Sequence, residues 1–119
     1  MEKFLFYIKS LRPHQWIKNF LIFIPLLAAH QINKETIILA ILMFVSFNFI
    51  ASSVYIFNDL IDLKADKAHP RKRYRPFASG KISVSNGKIL ALFLLVLGTM
   101  ISLSISYSFL VILLIYFLI

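Results

Sequence analysis

The chain has 119 residues, 60% of them hydrophobic, with 13 lysines and arginines against 5 acidic residues, a net charge of +8 and a mean hydropathy of +0.82. A basic surplus of this size suggests nucleic acid in a soluble protein, but here the basic residues sit between long apolar runs rather than on a polar face, so a membrane class is expected and nucleic-acid binding is set aside. The absence of cysteine excludes a disulfide framework, and neither an internal repeat nor a low-complexity tract is evident.

Residues 2–15 mix Phe4, Leu5, Phe6, Tyr7, Ile8 and Leu11 with Lys3, Lys9 and Arg12, the pattern of an interfacial helix leading into the membrane. A first span is expected over about 16–32, kinked at Pro25. The charged leader is long and no small-x-small cleavage site follows, which argues against a signal peptide. Asn33, Lys34 and Glu35 form a polar turn, and Thr36 is expected to cap a second span over about 37–60. A charged loop follows at about 64–88, with Ser85 or Asn86 starting a third span over about 87–105.

From Ile89 to Ile119 there is no charged residue. A single helix of that length would measure about 46 Å against a hydrocarbon core of about 30 Å. A turn is therefore expected around Ser104–Ser108, with a fourth helix over about 109–119. This last helix has no cap or polar flank, as expected of the N-terminal part of a longer protein. Of the 13 basic residues, 12 lie before or at the start of the first span or between the second and third, and Lys34 stands alone on the other side. The positive-inside rule then places the N-terminus and the charged loop in the cytoplasm, in a multi-pass protein of the cell membrane.

The loop region, NDLIDLKADKAHPRKRYRPFASG at 58–80, sets an acidic ladder against a basic run. On a continued helix, Asn58, Asp59, Asp62 and Asp66 fall within an arc of about 100° and can face one point. Oxygen ligands at this spacing suit Mg²⁺, a hard cation that keeps several waters and shares substrate phosphates. A zinc site is not expected, since there is no cysteine and the nearest histidine, His69, precedes a proline. Acidic groups near membrane depth cost about 2.5–3.5 kcal/mol on the insertion scale and are usually functional. Lys64, Lys67, Arg71, Lys72, Arg73 and Arg75 form the basic half, in which arginine forks and lysine point charges can hold a diphosphate or sugar phosphate. Basic residues beside a span also serve only to fix topology or touch anionic lipid, and Lys81 and Lys88 are read that way. Pro70, Pro76 and Gly80 shape the loop.

Asn58-Asp59-x-x-Asp62-x-x-x-Asp66 resembles the first aspartate-rich motif of the UbiA superfamily of intramembrane prenyltransferases. His69-Pro70-Arg71-Lys72-Arg73-Tyr74-Arg75-Pro76-Phe77-Ala78-Ser79-Gly80, with Arg12-Pro13-His14-Gln15-Trp16-Ile17-Lys18-Asn19, is similar to the decaprenyl-phosphate phosphoribosyltransferase branch. The likeness runs from about Leu11 to Ser83. It implies an all-α membrane bundle, of which about four transmembrane helices are present here and a second acidic motif, in the C-terminal half, is not. The implied reaction is Mg²⁺-dependent transfer of phosphoribose from 5-phosphoribosyl diphosphate to a polyprenyl phosphate, releasing diphosphate. In actinobacteria such a product leads to arabinose donors of cell-wall biosynthesis.

Carried over by position, Asn58 and Asp62 lead as metal ligands, with Asp66 bridging or tuning and Asp59 weaker. Arg71, Lys72, Arg73 and Arg75 would contact phosphates. Tyr74 is either a phosphate or ribose partner or a packed interfacial aromatic, and Lys18 and Asn19 face the same cavity from the first span. Trp16 reads as an interface anchor and His69 as a loop-shaping residue; no catalytic acid or base is assigned. Two alternatives stay open. One is a UbiA-type enzyme moving a prenyl group from a prenyl diphosphate to an aromatic or lipid acceptor. The other is a non-enzymatic membrane subunit whose basic loop binds lipid or a partner, for which the acidic ladder has no use. An oligomer and an isolated chain without activity are both compatible with this reading.

Overall fold

The computed structural model describes residues 2–24, 28–29 and 33–119, and every regular element among them is helical. In chain order these are α1 (Glu2–Ser10), α2 (Pro13–Trp16) continuing as a 3-10 turn (Ile17–Phe23), α3 (Lys34–Ile61), α4 (Leu63–Ala68), a 3-10 turn (Lys72–Tyr74), α5 (Val84–Ile105) and α6 (Tyr107–Leu118). The all-α class expected from the apolar runs is the one the chain adopts. Among the described residues α3 and α5 are long and apolar enough to cross a membrane, while α6 is a shorter apolar helix.

Capping residues decide where the long helices begin. Asn33, not Thr36, caps α3: its side chain accepts from the Thr36 N–H at 2.9 Å, and the Thr36 hydroxyl accepts from the Asn33 N–H at 3.1 Å. Thr36 thus completes a reciprocal capping box three residues inside the helix. Ser83 caps α5 by accepting from the Asn86 N–H at 3.2 Å, earlier than Ser85 or Asn86. Ser106 ends α5 in an extended conformation and caps α6 through the Phe109 N–H at 3.0 Å.

The N-terminal segment turns a corner at Arg12, whose backbone is left-handed (φ 53°, ψ 58°). Pro13 disfavours the right-handed helical region at the preceding residue, so α1 stops there and α2 starts with proline in its first turn. The interfacial segment over 2–15 is therefore two helices with an elbow. Beyond it the chain tightens to 3-10 geometry, which brings side chains three apart into line. Phe20 and Phe23 both meet the Phe44 ring, at 4.8 and 5.7 Å, and Trp16 and Asn19 bond Ser52 and Asn48 of α3 at 3.0 and 2.6 Å. Pro25 and its expected kink lie outside the described residues.

Helices α3 and α5 pack antiparallel on small residues. The Ser53 hydroxyl donates to the Ala91 carbonyl at 2.8 Å, and Gly98 lies so close to α3 that a Cβ there would sit 2.7 Å from Ile50 Cγ1 and 3.1 Å from the Ser46 carbonyl oxygen. Small residues of this kind let helix backbones approach closely in a bilayer, where lipid removes the hydrophobic drive to associate. Gly98→Leu is expected to lower stability by about 1–3 kcal/mol through overpacking, read as a lower thermal midpoint in detergent. Val96→Ala, on the exposed side of the same helix, serves as the silent control. At the loop end of the pair, Ile56, Phe77, Ile82, Ala91 and Leu94 form the buried core. Phe77 and Ile82 thus pin the charged loop to the helices instead of leaving it in solvent.

Candidate functional site

The acidic ladder does not stay on one helix. α3 ends at Ile61 and Asp62 occupies its C-cap with φ −86° and ψ 7°, after which α4 begins at Leu63. Helical i→i+4 backbone bonds run through this junction, from the Asp62 N–H to Asn58 and from the Asp66 N–H to Asp62, yet the acidic side chains do not gather at one point. Asn58 and Asp62 are exposed, and neither side chain bonds another described residue; Asp59 and Asp66 are buried.

Both buried carboxylates are taken by arginines. Arg12 Nη2 donates to Asp59 Oδ1 at 2.5 Å, and Arg75 Nη1 reaches the same oxygen at 3.4 Å and Asp66 Oδ2 at 3.3 Å. The Arg12 guanidinium also lies over the Tyr55 ring, 5.1 Å from its centroid. Arg75 therefore bridges the two carboxylates, and Arg12 ties the N-terminal elbow to the end of α3. Asp59 and Asp66, expected as metal ligands, and Arg75, expected as a phosphate contact, are thus engaged with one another and with Arg12 in this structure. Arg12 is the residue that sequence reasoning missed as a site member. Its signal was Pro13, which bars it from the helix and turns it toward α3.

Arg71, Lys72 and Arg73 are exposed on the turn after α4. His69 builds that turn: its Nδ1 accepts from the backbone N–H groups of Arg71 and Lys72, each at 3.1 Å. The ring is thereby fixed as a loop-shaping group. Tyr74 is also exposed, and Arg73 both donates to its hydroxyl at 2.9 Å and covers its ring at 5.0 Å. The pair presents a guanidinium and a phenol side by side.

Lys18 and Asn19 do not join this group. They line a separate, mainly apolar cavity of about 230 Å³ with Leu21, Phe44 and Phe47, and Asn19 is committed to Asn48. The register of the 3-10 turn along α3 puts them well up the apolar stretch, away from the ladder.

Among the described residues no three histidine or acidic side chains gather as a metal cluster. What remains open for a cation is the Asn58 amide oxygen and the Asp62 carboxylate, four residues apart and exposed. Mg²⁺ retains several waters and shares substrate phosphates, so two protein oxygens fit one side of a substrate-bridged ion and would not fit a closed cage.

The UbiA prenyltransferase family matches residues 19–119. The chain is 41% identical over 109 residues to uncharacterized protein y4nM of Sinorhizobium fredii, covering 87% of this chain and 20% of that protein. It is 41% identical over 95 residues to nodulation protein NoeC of Azorhizobium caulinodans, covering 80% and 31%. To the decaprenyl-phosphate phosphoribosyltransferase of Corynebacterium glutamicum it is 44% identical over 106 residues, covering 87% and 30%. The chain thus spans between 20% and 31% of the length of these relatives.

Proposed function

The chain belongs to the UbiA prenyltransferase family, and on that premise we propose that it supplies the first-motif side of the substrate site in a longer transferase. The reaction we favour moves phosphoribose from 5-phosphoribosyl diphosphate to a polyprenyl phosphate. A bond forms between an acceptor phosphate oxygen and the anomeric carbon, and the bond from that carbon to diphosphate breaks. The observation that carries this reading is the exposed Asn58 and Asp62 pair, followed in the chain by the exposed Arg71, Lys72 and Arg73, within a segment 44% identical to a decaprenyl-phosphate phosphoribosyltransferase.

Asn58 and Asp62 would hold Mg²⁺, which when bound neutralises charge on the leaving diphosphate. Arg71, Lys72 and Arg73 would grip the donor phosphates, and the Tyr74 hydroxyl, held by Arg73, would orient the donor beside them. Arg75, Asp59 and Asp66 hold the loop in place. The chain would sit in the cell membrane with its N-terminus and loop on the cytoplasmic side, where phosphorylated donors reach the site.

The test is a pair of assays on the transferase carrying these residues: radiolabelled 5-phosphoribosyl diphosphate with a polyprenyl phosphate, then a prenyl diphosphate with an aromatic acid. Product in the first is expected, and product only in the second rejects the phosphoribosyl reading for prenyl transfer. Arg73→Lys is expected to cost about tenfold in donor use, because lysine keeps the charge and loses the bidentate fork. Full activity in that variant would remove Arg73 from the donor site.

A further inference from the structure

We propose that the cleft between the α1–α2 elbow and the basic loop binds the phosphate headgroup of a membrane lipid. Lys9, Arg12, His14, Gln15, Asp59 and Arg75 line a cavity of about 280 Å³ there. It lies on the side of α3 that carries Asp59, while Asn58 and Asp62 are the exposed members of the ladder.

The charge balance of this cleft favours an anion. Asp59 Oδ1 accepts from both Arg12 and Arg75, so one carboxylate oxygen serves two guanidinium groups. Even with Asp66 set against Arg75, three cations face two carboxylates, and Lys9 makes no ion pair among the described residues. His14 and Gln15 add further hydrogen-bonding side chains to the lining. The Arg12 and Arg75 side chains are 25% and 34% exposed, so they keep N–H groups for a ligand after bonding their carboxylates. Arg12 is already immobilised between Asp59 and the Tyr55 ring. Holding it for a ligand therefore costs little further rotamer entropy.

Position and size select the ligand class. The cleft opens where the apolar length of α3 ends, beside α1 with its exposed Phe4, Leu5 and Ile8, which is the level of lipid headgroups. Its volume is just below the roughly 300–1,000 Å³ of sites that enclose a whole small molecule. A phosphate fits it while an attached chain stays in the bilayer. Two sources offer this chemistry: a polyprenyl phosphate, or a bilayer lipid such as phosphatidic acid. Assigning the phosphate to the acceptor rests on the transferase reading above; the cleft's preference for lipid phosphate does not.

Equilibrium binding of radiolabelled farnesyl phosphate to the purified protein in detergent, without donor or Mg²⁺, tests the proposal separately from turnover. The wild type is expected to bind farnesyl phosphate and not farnesol. Lys9→Gln and His14→Gln lie outside the ion-pair network, so the fold stays intact while affinity falls about tenfold for Lys9→Gln and less for His14→Gln. Unlabelled phosphatidic acid then separates the sources: failure to displace the ligand assigns the cleft to the polyprenyl phosphate, and displacement at equal concentration assigns it to bilayer lipid. Equal affinity in wild type and Lys9→Gln, or equal binding of farnesol, would overturn the site.

Discussion

Asp59→Ala is expected to destabilise the protein more than loss of any other carboxylate, because it strips two arginines of one shared partner. Arg12 and Arg75 would be left facing each other across a half-buried gap, with Arg75 retaining only Asp66. Breaking a buried pair by removing one member costs about 3–5 kcal/mol, and the partial exposure of both guanidinium groups puts this case near about 3 kcal/mol. In a chain of this size that lowers the thermal midpoint by roughly 10 °C or more. Thermal unfolding in detergent reads it, and a double-mutant cycle with Arg12→Ala isolates the pair, since the two residues share one hydrogen bond across 47 positions of sequence. An unchanged midpoint in Asp59→Ala would show that the network is solvated and carries no stability.

The part of this architecture legible in the sequence is the part governed by local composition. Long uncharged runs announce helices, and 31 uncharged residues from Ile89 onward are too many for one span, so a break among the serines follows from length; it falls at Ser106. Cap positions shifted because reciprocal side-chain bonds decide them: Asn33 with Thr36 outcompetes Thr36 alone. The ladder was legible as chemistry and not as geometry. An arc of about 100° is wide enough to divide: Asp59 and Asp66, seven residues and about 20° apart, share the buried edge that meets Arg75, while Asn58 and Asp62 stay exposed. Nor does any local pattern pair Arg12 with Asp59, for that contact is made by the elbow at Pro13 and by the packing of the following segment along α3. Arg75 shows the same limit: its type and its neighbours fit a phosphate contact, and only the folded loop reveals two carboxylates within its reach.

The division of the ladder into an exposed pair and a buried pair leads to the second large effect. In the transferase carrying these residues, Asp62→Ala is expected to cut Mg²⁺-dependent turnover about a thousandfold or more, since a metal's stabilisation of developing charge is worth several kcal/mol. The same change is expected to leave the thermal midpoint within the error of about 0.5 kcal/mol typical of surface substitutions, because the side chain is exposed and bonds no described residue. Asp66→Ala is expected to do the opposite, lowering the midpoint through loss of its bond to Arg75 and reducing turnover only as far as the loop shifts. Both variants need both measurements, because either alone confuses a missing ligand with a displaced loop. Near-normal turnover in Asp62→Ala would remove the exposed pair from the metal site. An Asp66→Ala protein of full stability and no activity would instead mean that Asp66 leaves Arg75 to join Asn58 and Asp62 when substrate and metal bind, restoring the three-residue face that the helical spacing predicts.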